Sequence, residues 1–139
     1  MDQDQLDLRL SRIGRIPFRA TFHLRAPELA YVTSRGMDVL RQQAREFIDV
    51  RLAPARPKND GRQTPWGGHP VFRAQHATAT CCRKCLQLNH GIAPGHDLTS
   101  RERTYVVDVI CRWLETESAT GLPTPPAGGS GPPPGREEG

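Results

Sequence analysis

Between His69 and His96 lie four of the chain's five histidines and three of its four cysteines. At the centre of that stretch stands His76-Ala77-Thr78-Ala79-Thr80-Cys81-Cys82-Arg83-Lys84-Cys85, and His90 follows five residues later. Thiolate sulfur and imidazole nitrogen are the donors that zinc takes in tetrahedral protein sites. The first chemistry this spacing predicts is therefore a bound metal, and the second is reactive thiols.

Cys82-x-x-Cys85 is a common zinc spacing. On a helix, residues three apart project from the same side, so two thiolates can grip one ion. The first turn also offers unpaired backbone N–H groups that favour thiolate. Cys81 and Cys85, four apart, have the same reach. Cys81 and Cys82, however, would be about 100° apart around a helix axis, which strains a shared ion. The expected ligand set is His76, Cys82, Cys85 and His90, with Cys81, His69 and His96 in reserve. Cys82-x2-Cys85-x4-His90 begins like a zinc knuckle, but position 95 is glycine, where that pattern needs a fourth cysteine. An iron–sulfur cluster wants four thiolates, and only the distant Cys111 could supply the last. Cys81 and Cys111 are otherwise expected as small buried residues.

The run Gly68-His69-Pro70-Val71-Phe72, then His76 through Arg83, Cys85, His90-Gly91-Ile92 and Leu98-Thr99 resembles an uncharacterised family of small bacterial and phage proteins, a domain of unknown function with an HATATCCRxC signature. The resemblance covers roughly Leu24 to Glu115. It implies that His69, His76, Cys81, Cys82, Cys85 and His90 belong to the family's motif region and that Cys111 does not. It implies no activity.

Three kinds of role fit these residues. One is a structural zinc site in a small module that works by contact, with nucleic acid as the expected partner. Another is a metal-dependent enzyme, with His76, Cys82 and Cys85 leaving a fourth position for water. The zinc nucleobase deaminases carry a glutamate two residues after the histidine and a proline before the first cysteine. Here Thr78 and Cys81 occupy those places, so that chemistry lacks its acid/base group. The third is a thiol-redox pair at Cys82 and Cys85, although the strand–helix alternation of a thioredoxin-like fold is missing.

The elements that must position the cluster are mostly helical. Met37, Leu40, Ala44, Phe47, Ile48 and Leu52 recur at steps of three and four, predicting a helix from about Met37 to Leu52. Pro27 opens a shorter one before it. Thr80 is a candidate cap for a helix over 81–89, with Gly91 as its stop. Thr99-Ser100-Arg101-Glu102 is a capping box for a last helix carrying Val106, Val109, Ile110, Trp113 and Leu114 and ending near Glu117. Leu6, Leu8 and Leu10 alternate with polar residues, as do Phe18, Ala20 and Phe22, so residues 1–24 read as an extended or irregular arm. Residues 70–76 read as a short strand, and 58–68 as a loop.

The expected class is α+β, mainly α: three to four helices, a few short strands, and the Cys/His cluster at the start of a central helix. Residues 25–117 form the folded domain, with Phe47, Ile48, Phe72, Leu86, Val106, Ile110 and Trp113 in its core. Residues 118–139 form a Pro/Gly-rich tail expected to be disordered, since it holds almost nothing to bury.

The full chain stands at +4. After Thr116 it carries Glu117, Glu137 and Glu138 against Arg136, a net −2, so residues 1–116 stand at +6. That surplus favours anionic partners, and Arg83 and Lys84 beside the cluster are candidate phosphate contacts. No apolar run is long enough for a membrane span, and the polar start does not read as a secretory signal. The expected setting is cytoplasmic, where thiols stay reduced.

Overall fold

The computed structural model describes residues 2–121. They form seven helices: α1 (Gln3–Ile13), α2 (Pro17–Ala20), α3 (Ala26–Arg35), α4 (Met37–Arg51), α5 (Pro70–Ala77), α6 (Arg83–His90) and α7 (Ser100–Gly121). No strand occurs among the described residues. The fold is all-α, which corrects the α+β expectation.

Each expected strand fails for a local reason. In residues 1–24 the alternation of leucines is incidental to a helical period. Leu6 and Ile13, seven apart, are buried on one face of α1, while Leu8 is 59% exposed. Asp2 starts the helix as its N-cap: its carboxylate accepts from Gln5 N–H (2.9 Å), and the Gln5 amide oxygen accepts from Asp2 N–H (3.0 Å). Asp7 then pairs with Arg112 of α7 at 2.7 Å. Pro17 begins α2 rather than a strand. At 70–76, the apolar run fits a buried strand or a buried helix equally well. Pro70 at the first helical position and the cap from His69 turn it into α5.

The core is built on α4 against α7, with α5 and α3 closing over it. Leu40, Ala44, Ile48 and Leu52 face Val106, Val107, Ile110 and Leu114, and Leu86 and Leu98 join them. Among the expected core residues, Ile48, Phe72, Leu86, Val106 and Ile110 are buried. Phe47 and Trp113 are partly buried against the cluster. Leu or Ile side chains taken fully out of water contribute about 1.5–3 kcal/mol each, so this seam outweighs any single polar contact.

Both predicted punctuation marks hold. Thr99 and Glu102 exchange hydrogen bonds at 2.9 and 3.0 Å, and Gly91 ends α6 with φ +71°. α7 continues past Glu117 to Gly121; beyond that point the expected tail lies outside the described residues. Among the described residues, no helix is long and apolar enough to cross a membrane.

Candidate metal centre

α6 begins two residues later than Thr80 would start it. Cys82 is its N-cap, with extended backbone (φ −158°, ψ 167°), and its sulfur accepts from Cys85 N–H at 3.4 Å. Cys81 and Cys82 therefore both precede the helix. The 100° splay that counts against sharing an ion applies only inside a helix, and it does not arise. The sulfurs of Cys81, Cys82 and Cys85 lie within 4.8 Å of one another. Tetrahedral thiolates on zinc stand about 3.8 Å apart, from a Zn–S length of about 2.3 Å, so a small closure would seat an ion. Cys81 is a member of this group as well as a buried residue.

The turn that carries the cysteines is held rigidly from within. Thr78 Oγ1 donates to Ala74 O (2.7 Å) and lies 3.0 Å from Thr80 Oγ1. Gln75 Nε2 donates to Thr80 O at 3.0 Å. Thr64, from the preceding loop, donates to Cys81 O at 2.8 Å. Ala79, at φ +59° and fully buried, sits in the left-handed region that L-residues avoid. The threonines and alanines of the signature thus make a strained turn that presents sulfur.

Arg19 of α2 closes the group. Its guanidinium donates to Cys85 Sγ (3.2 Å), to Cys81 Sγ (3.7 Å) and to His76 O (2.8 Å). The neighbouring Cys81 and Cys82 thiols, and then Arg19, lower the Cys85 pKa by hydrogen bonding. Hydrogen bonding to Cys82 and Cys85, together with burial, pushes Cys81 up.

None of the four candidate histidines, His69, His76, His90 and His96, belongs to the group of mutually close ligand atoms, which holds the three sulfurs alone. His90 is engaged at both nitrogens: Nε2–H donates to Thr78 O (2.8 Å), and Nδ1 accepts from Tyr105 O–H (2.6 Å), itself a partner of Arg9 at 3.0 Å. His69 caps α5, with Nδ1 accepting from Val71 N–H (3.0 Å) and Nε2 facing Gln43 Oε1 (3.1 Å). His96 lies 2.8 Å from Glu102. His76 differs. Its Nε2–H donates to Thr64 O (3.2 Å) and Pro65 O (3.1 Å), while its Nδ1 is buried with no partner. Burial lowers its pKa, and Cys82 is near enough to pull the other way. Burial also lowers the pKa of His69 and His90.

Arg83, expected at phosphates, is 1% exposed. Its guanidinium donates to the carbonyls of Leu52, Ala53, Pro54, Ala93 and His96. Lys84 is exposed. Cys111 is buried on α7, and burial pushes its thiol up to about 11.

Sequence reasoning missed Arg19, Thr64 and Trp66. Trp66 stacks on the His76 ring at 4.1 Å, and Phe22 stacks on it at 5.4 Å. The one available signal was Phe18-Arg19-x-x-Phe22, which puts two aromatics one helical turn apart with an arginine between them.

The model of a family described as a domain of unknown function (DUF4186) matches residues 7–115. No solved structure matches.

Proposed function

We propose, from the premise that the chain belongs to this family of unknown function, that it is a small zinc-binding module with a structural site at Cys81, Cys82 and Cys85, completed by His76 Nδ1. The observation that carries the proposal is the convergence of three sulfurs within 4.8 Å at the start of α6. His76 is the fourth donor because its lone pair has no other use. A metal-bound histidine gives its second N–H to a carbonyl or carboxylate, and His76 already gives Nε2–H to Thr64 and Pro65. His90 lacks a free nitrogen, so Cys81 replaces it in the ligand set.

Charge supports the same reading. Three thiolates around a divalent ion leave one negative charge, and the Arg19 guanidinium stands against it. A closed shell adds folding free energy at a turn that joins α5 to α6 and, through Arg19, holds α2.

Metal content by mass spectrometry of protein purified without chelator tests this. About one zinc per chain is expected, lost in Cys81→Ser, Cys82→Ser and Cys85→Ser, weakened in His76→Ala and kept in His90→Phe. Absence of metal from the wild type, with ready oxidation to a disulfide, would replace the reading with thiol-redox chemistry. Zinc loss in His90→Phe with retention in His76→Ala would reassign the fourth ligand.

A further inference from the structure

Three aromatic rings, the exposed Phe18 and Trp66 and the half-buried Phe22, form one ledge. Phe18 and Phe22 meet edge to face at 5.3 Å, and Trp66 lies 6.2 Å from Phe18 and 6.1 Å from Phe22. Phe18 is 49% exposed and Trp66 63%. Rings of this size are rarely left open together without a partner to cover them. Nor are they loosely held, since α2 is pinned by Arg19 to the sulfurs and Trp66 rests on His76.

The two chain segments that build the ledge are free of carboxylates over long stretches. Residues 8–27 contain Arg9, Arg12, Arg15, Arg19 and Arg25 and no Asp or Glu. Residues 61–96 contain Arg62, Arg73, Arg83 and Lys84, again with no Asp or Glu. Arg73 is taken up by Glu28 and Arg83 by carbonyls. Arg12, Arg15, Arg62 and Lys84 are exposed. Arg15 stands three residues before Phe18, and Arg62 four before Trp66.

Open aromatic rings beside exposed arginines match the two faces of an unpaired nucleotide strand: bases stack on rings and phosphates meet guanidinium groups. We propose that the ledge of Phe18, Phe22 and Trp66, with the exposed Arg15 and Arg62 a few residues away along the chain, binds single-stranded nucleic acid without strong sequence preference. An acidic peptide would meet the same charge but has no base to stack. The inference shares one element with the metal reading: Arg19 holds α2 against the same sulfurs, and does so without an ion.

The test is fluorescence anisotropy of the full chain, as purified with its metal, against a labelled oligothymidylate of about 15 nucleotides. A duplex of equal length and poly-glutamate serve as competitors. Zinc content is measured on every sample. Binding that weakens with salt is expected, with about tenfold loss in Phe18→Ala and in Trp66→Ala, the weight of one stacked base. Zinc should be retained in Phe18→Ala. Poly-glutamate and duplex should compete poorly. No binding at low salt, unchanged binding in both variants, or equal competition by poly-glutamate each overturn the proposal. Zinc present with both variants binding normally sinks the ledge and leaves the metal site. Zinc absent with the tenfold losses intact sinks the metal site and leaves the ledge.

Discussion

Replacing Arg83 with methionine should cost about 4 kcal/mol of stability. The guanidinium, 1% exposed, bonds Pro54 O and His96 O at 2.8 Å each, with three longer bonds to Leu52, Ala53 and Ala93. Ala53 O also receives Leu98 N–H at 2.8 Å, so it loses little. Hydrogen bonds to a charged group contribute about 1.5–3 kcal/mol each, and two short ones are removed. Buried ion pairs can often be exchanged for apolar residues at no cost, because both charges leave together. That escape is closed here: the partners are backbone carbonyls, which remain behind without a donor. About 4 kcal/mol out of a typical 5–15 should lower Tm by roughly 15 °C. Urea unfolding followed by circular dichroism measures the loss, with Lys84→Met as the exposed control, expected within about 0.5 kcal/mol of wild type. A loss below about 1 kcal/mol in Arg83→Met would refute the clamp. So would a stable Arg83→Met protein that had lost oligonucleotide binding, because the side chain would then belong to the surface.

Gly91→Ala should destabilise by about 1 kcal/mol, the cost of forcing a Cβ into the left-handed region at φ +71°. A new Cβ there meets nothing within 4 Å, so a loss well above this in thermal unfolding would show that the strain is not only in the backbone. The metal-free protein should lose stability as pH falls below about 6.5. Burial depresses the folded pKa of His69 and His90, so the unfolded chain binds protons first, and stability is fully present only above the unfolded value. The slope approaches roughly 1.4 kcal/mol per pH unit for each of these histidines. Urea midpoints that stay flat between pH 7 and 5 would contradict their burial as neutral rings.

What the sequence made legible was punctuation and periodicity. The Thr99–Glu102 box, the Gly91 stop and the α4 stripe are local rules, and each needs only a few neighbouring residues. The strand at 70–76 misled because a run that is buried on every side has no period to read. Deciding it required the cap that His69 gives α5, a side-chain bond that spacing alone does not announce. The reserve place of Cys81 rests on a helix that begins at residue 81, and with α6 starting at Arg83 the objection to its sharing an ion with Cys82 does not arise. Arg19 was legible only as an arginine between two aromatics, since its partners are 57, 62 and 66 positions away and nothing in α2 refers to sulfur.

The signature residues divide their labour in a way that a ligand count obscures. His69 caps α5, and His90 ties the α5–α6 turn to α7 through Tyr105. Both are rings with each nitrogen used, which makes them braces for the turn. Thr78, Thr80 and Gln75 hold Ala79 in a backbone conformation worth roughly 1–3 kcal/mol of strain. A turn that needed only to join two helices would place glycine there. Strain maintained by three buried hydrogen-bonding side chains is instead the cost of aiming two consecutive cysteines toward a third. On that argument the turn is shaped to bring three sulfurs together, and the braces keep it from relaxing.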